Sequence, residues 1–162
     1  MKTAVVYYSL DGNCALVAEE LKAQLNADVI SLHTTDEKKR GKIASMFWGC
    51  GMVFFRKNPP LKPYTFDPSA YDLIILGAPV WASCPAPPIR TFLSGVGIAG
   101  KKTALFICHA GGAGNALEKF RALLAGNEIV AEIDFKDPTK DKPEEVKQRI
   151  SDWAQGFCKQ PA

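Results

Sequence analysis

The chain has 162 residues, 47% hydrophobic and 23% charged, with a formal net charge of +3. That composition fills one compact core and excludes a disordered chain, and so small a charge brings no bulk attraction to nucleic acid. Five cysteines, an odd number without a CxxC pair, argue for reduced thiols rather than a disulfide framework.

The N-terminal MKTAVVYYSL has no small-residue cleavage site and reads as a first strand, so a soluble, cytoplasmic protein is expected. Thr3 to Tyr8 is β-branched and aromatic without polar alternation, as in a strand buried on both faces of a parallel sheet. Leu16, Val17, Leu21 and Leu25 then recur at helical spacing, and Val29 to Leu32 is a second apolar run, which completes a βαβ unit. YDLIILG (Tyr71 to Gly77), KTALFIC (Lys102 to Cys108) and EIVAEIDF (Glu128 to Phe135) predict three further strands. Leu117, Phe120 and Leu124 mark one later helix. Val146, Ile150, Trp153 and Phe157 mark another, opened by Pro143 and two glutamates that suit the positive end of the helix dipole. This alternation predicts a single α/β domain over 1–162, an open parallel sheet covered on both faces.

An enlarged segment, about 34–70, interrupts the rhythm between the second and third strands. Its middle, Ile43 to Phe55, is almost wholly apolar and is flanked by Lys38, Lys39, Arg40 and Lys42 before and by Arg56 and Lys57 after. It is too short for a bilayer span, which takes about 20 residues, so no membrane span is expected. It reads as a crossover helix packed on the sheet. A cover over a site, or a patch for weak association with an anionic surface, are the alternatives.

Ligands of open parallel sheets bind beyond the carboxyl ends of the strands, which selects three loops. The first is SLDGNC, where Ser9, Gly12, Asn13 and Cys14 open a helix and offer N–H groups and short polar side chains to an anion. Asp11 opposes this, because its carboxylate can cap the helix and fill the anion site with its own charge. The residues leave phosphate loop and capped turn both open. The second, APVWASCPAPP, carries Trp81 among small residues and prolines, a candidate stacking surface or a core tryptophan. The third, CHAGGAGN, clusters Gly111, Gly112 and Gly114, which let the backbone approach a flat ligand.

Together the loops resemble the flavodoxin family over nearly the whole chain. YYSLDGNC is similar to its phosphate loop, a Ser/Thr, any residue, Thr, Gly, any residue, Thr. GAPVWASCPAPPIRTFL is similar to the segment in which an aromatic flanks the flavin ring and a proline-rich turn leads into a helix. FICHAGGAG resembles the Gly-rich loop on the other side of the flavin. The resemblance implies a doubly wound five-stranded parallel sheet in the order 2-1-3-4-5, with FMN as cofactor. It implies that Ser9, Gly12, Asn13 and Cys14 hold the phosphate with Asp11 in the same cofactor-binding loop, that Pro79, Val80 and Trp81 line the ring with Ala82, Ser83 and Cys84 nearby, and that Cys108, His109, Ala110, Gly111 and Gly112 border the pyrimidine end. The expected role is electron transfer, as a carrier with a redox partner protein or as an NAD(P)H-linked reductase with a small acceptor. The bulky Phe47 and Trp48 lean toward a covered site. Asp11 and Cys14 depart from the pattern by replacing threonines. The alternative is therefore a binding or interaction module that has lost FMN. The net charge departs too, since electron carriers of this family are commonly very acidic.

Other constellations fail on chemistry. Cys84 and Arg90 have the spacing of cysteine-dependent phosphatases, but Pro85, Pro87 and Pro88 lack the N–H groups that such a loop needs. A receiver domain needs an aspartate ending the third strand, where Gly77, Ala78 and Pro79 stand. Cys14, Cys84, Cys108 and His109 have the ligand types for zinc but no chelate spacing, so no metal is expected.

Overall fold

The computed structural model describes residues 1–35, 51 and 58–158. Along the chain run β1 (Thr3–Tyr8), α1 (Asn13–Leu25), β2 (Asp28–Leu32), a 3-10 turn (Pro68–Ala70), β3 (Leu73–Trp81) and β4 (Cys84–Pro85). They are followed by α2 (Pro87–Val96), β5 (Lys102–His109), α3 (Ala116–Leu123), β6 (Glu128–Lys136) and α4 (Pro143–Cys158). The sheet order is β2-β1-β3-β5-β6, every neighbour parallel, while β4 pairs only with β3 and antiparallel. With the two-residue β4 set aside, this is the expected 2-1-3-4-5.

Side chains alternate across the sheet and fill two cores. Val5, Tyr7, Phe106 and Cys108 face one layer with Val17 and Leu21 of α1 and Val146, Ile150 and Phe157 of α4. Val6, Tyr8, Leu105 and Ile107 face the other with Ile89 and Phe92 of α2 and Phe120 of α3. Continuous apolar strands therefore bury both faces, as parallel sheets require. At the centre, Gly77 leaves room for the Phe106 ring, which a Cβ there would strike.

Two boundaries differ from the sequence reading. Leu16 was placed on the apolar stripe of α1, yet it is 36% exposed, and Cys14, Val17, Ala18 and Leu21 carry the buried face. The third strand was expected to end at Gly77, yet β3 continues to Trp81. Its pairing with β1 stops at Gly77, and at Pro79 the returning hairpin takes that side, the Ala86 N–H donating to the Pro79 carbonyl at 3.0 Å, so a residue without an N–H is tolerated beyond the end of β1. The apolar stretch from Ile43 to Phe55, Gly51 apart, lies outside the described residues. Its flanks meet at the carboxyl end of β2: Thr35 N–H donates to the Pro60 carbonyl at 3.0 Å and Lys62 N–H to that of His33 at 2.8 Å. Tyr64 and Phe66 on the returning flank pack against Phe92 of α2.

Candidate functional site

The chain reverses its direction of winding between β1 and β3, and the loops after β1, β3 and β5 meet at that carboxyl edge. In the first loop Gly12, with φ of 90°, is the N-cap of α1, a left-handed backbone that glycine adopts without penalty. Its N–H donates to Ser9 Oγ at 3.2 Å. The Asn13 N–H donates to Asp11 Oδ1 at 3.3 Å, and Asn13 Nδ2 to Asp11 Oδ2 at 3.1 Å. The Asp11 carboxylate thus accepts from the first helical N–H across an Asx turn, while the N-cap position belongs to Gly12 and has no side-chain cap.

Asn13 itself is only 6% exposed, and its Oδ1 accepts from the Thr139 N–H at 3.1 Å and from Thr139 Oγ1 at 2.8 Å. A backbone N–H can only donate, so the amide oxygen must face Thr139 and the amide nitrogen must face Asp11. The turn after β6 thus orients Asn13, and Asn13 orients Asp11. Cys14, next in line, is fully buried in the core with Cys108. Burial first, then the Cys108 thiol and the Asp11 charge, push its thiol well above the ordinary value of 9.0.

The second loop is a two-residue hairpin. Val80 pairs with Pro85 and Trp81 with Cys84, leaving Ala82 (φ 47°) and Ser83 (φ 56°) at the tip, both left-handed. Positive φ at both central residues matches the strand twist, but without glycine it costs about 1 kcal/mol or more per residue. The tip is braced from outside. Gly114, in the third loop, lies so close that a Cβ on it would sit 2.5 Å from Ser83 Oγ. Lys119 Nζ of α3 donates to Cys84 Sγ at 3.1 Å. Trp81, half-buried, stands edge-on to Tyr8, ring centroids 5.7 Å apart.

In the third loop, His109 Nε2 lies 2.9 Å from Asp134 Oδ2, and the ring is 8% exposed. An ionised aspartate can only accept, so Nε2 carries a proton toward it, while Nδ1 has no hydrogen-bond partner among the described residues. The His109 carbonyl accepts from the Asp137 N–H at 2.9 Å, tying this loop to the turn that holds Asn13. Ala110, Gly111 and Gly112 are exposed beside it.

Ser9, Asp11, Gly12, Asn13, Trp81, Ala82, Ser83, Cys84 and the run from His109 to Gly112 therefore share one edge. Pro79 is buried within β3, and Val80 is the first hairpin pair. The side chains of Cys14 and Cys108 turn into the core instead. The sequence reading missed Lys119, Asp134 and Thr139, which brace the three loops. Thr139 is 126 positions from Asn13, beyond the reach of any local pattern. Among the described residues, no group of three or more His, Cys, Asp or Glu is placed to hold a metal, and no helix is long and apolar enough to cross a membrane.

No family model and no curated protein matches the chain. Solved structures do. A flavoprotein of Lactobacillus acidophilus in complex with FMN superimposes with a TM-score of 0.74 at 21% identity, covering 94% of this chain and 98% of that one. Flavodoxin 2 of Bacillus cereus gives 0.61 at 21% identity, with 98% of each chain covered. The flavodoxin of Megasphaera elsdenii gives 0.55 at 18%, covering 93% of this chain and 99% of that one. Order, winding and loop placement agree with these likenesses, and the chain has the flavodoxin-like fold.

Proposed function

We propose that the chain binds FMN at this edge and works in electron transfer, as a carrier or as an NAD(P)H-linked flavin reductase. The observation that carries the reading is the convergence of a braced aromatic hairpin, a glycine-rich loop and the Asx turn of the first loop at the point where the winding reverses. The similar flavoprotein of Lactobacillus acidophilus holds FMN, which supports the same ligand here.

The fit differs between the two ends of the cofactor. At the ring end the residues suit it: Trp81 offers an aromatic face, Ala110 to Gly112 offer exposed backbone without bulk, and the hairpin keeps a left-handed tip that Gly114 and Lys119 hold. At the phosphate end Ser9 and Asp11 already take the N–H groups of Gly12 and Asn13. FMN would supply the one- and two-electron chemistry, and these residues would orient it and limit the access of water. The net charge of +3 favours a partner other than the basic-faced proteins that suit acidic carriers.

Titration of the purified protein with FMN, read by flavin fluorescence, tests the reading, and saturable quenching is expected. NAD(P)H oxidation with a quinone or nitro acceptor then separates reductase from carrier. A colourless protein that leaves FMN fluorescence unchanged overturns the proposal in favour of an interaction module on the same fold, the reading that the Asp11 carboxylate favours.

A further inference from the structure

A monoester phosphate near neutral pH carries about 1.5 to 2 negative charges and offers only acceptors, so it needs donors and tolerates no carboxylate beside it. The first loop sets a carboxylate among its donors. The Gly12 N–H is turned to Ser9 Oγ, and the Asn13 N–H and one Nδ2–H are turned to Asp11. Cys14 contributes a buried thiol instead of a hydroxyl. The Ser9 hydroxyl proton and the Cys14 and Ala15 N–H groups at the start of α1 remain to be given, with the Asp11 carboxylate beside them. Nor is Asp11 loosely placed, because Thr139 fixes the Asn13 amide with its nitrogen toward the carboxylate. Moving Asp11 aside strips Asn13 Nδ2 of its acceptor.

We infer that Asp11 is a specificity-determining residue that removes the premium a phosphate would confer, so that the site takes riboflavin, whose side chain ends in a hydroxyl, at least as well as FMN. The inference rests on the flavin reading of the site. A hydroxyl donates, a carboxylate with unused lone pairs accepts, and an O–H group brings no charge to repel.

The experiment is a fluorescence titration of the full, flavin-stripped chain with riboflavin and with FMN. The wild-type protein is expected to bind riboflavin as tightly as FMN or tighter. Asp11→Thr is expected to raise FMN affinity about tenfold or more, the scale of one hydrogen bond to a charged oxygen, while riboflavin affinity moves by less than about threefold. Asp11→Asn keeps the shape and, through its amide oxygen, one of the two Asn13 contacts without the charge, so it should shift the ratio the same way even where the threonine variant folds poorly. Wild-type protein that binds FMN ten or more times tighter than riboflavin overturns this inference and leaves the flavin reading standing. Failure of both flavins to bind, in wild type and variants alike, overturns the flavin reading and this inference with it.

Discussion

Burial decides what Cys14, Cys84 and Cys108 can do. Cys14 and Cys108 are sealed in the core, whereas Cys84 is half-buried at the hairpin beside Lys119. Iodoacetamide should therefore label Cys84 in the native protein and reach Cys14 and Cys108 only after unfolding, as peptide mapping would show, and native labelling of Cys14 would contradict the packing. Cys14 also has a pH signature. Its folded thiol holds its proton above 9.0, where the unfolded chain begins to release one, so this contribution is whole below 9.0 and is lost as the pH rises beyond it. Cys14→Ala should flatten the alkaline fall of the urea midpoint, and equal slopes in the two proteins would count against it. At this scale the sequence was legible only as alternatives. SLDGNC contains both an anion loop and its own cap, and the partner that orients Asn13 stands 126 residues away.

The hairpin after β3 was the least legible element, for a physical reason. Two-residue turns with both φ angles positive are announced by Asn-Gly, and Ala82-Ser83 announces nothing. The turn persists because Gly114 and Lys119 brace it, and both come from beyond β5. Replacing the pair by Ala82→Asn with Ser83→Gly should relieve the strained backbone, stabilise the protein by about 1 kcal/mol and raise its Tm by about 2 to 4 °C in a thermal melt. Gly114→Ala should do the reverse. Its Cβ would stand 2.5 Å from Ser83 Oγ on a backbone of φ 50°, so a loss of about 1 to 3 kcal/mol and weaker flavin quenching are expected together. A variant that loses stability but titrates with flavin as before would separate the brace from the site. The long strands, by contrast, announced themselves, because β1, β3 and β5 are apolar on both faces and carry no helical alternation.

For the whole molecule, two cores share one sheet, and at Gly77 a missing side chain leaves room between strands. The Phe106 ring occupies the place of the missing side chain. Gly77→Ala should cost about 1 to 3 kcal/mol, lowering Tm by about 2 to 4 °C for each, and Phe106→Leu should recover part of that loss in the double variant. The fold was legible because strand and helix patterns alternate. The site was less so, because its loops are held by residues that no periodicity links to them.

The Thr139 clasp sets an order in time as well as in space. During synthesis the N-terminal strands emerge first, but Asn13 has nothing to orient it until the chain has grown another 126 residues. Asp11 therefore takes its place late. A ribosome-bound chain stalled before Thr139 would display the β1 turn without the contact that fixes the Asn13 amide, so the flavin preference proposed for this edge would arise only after residue 139 has been made.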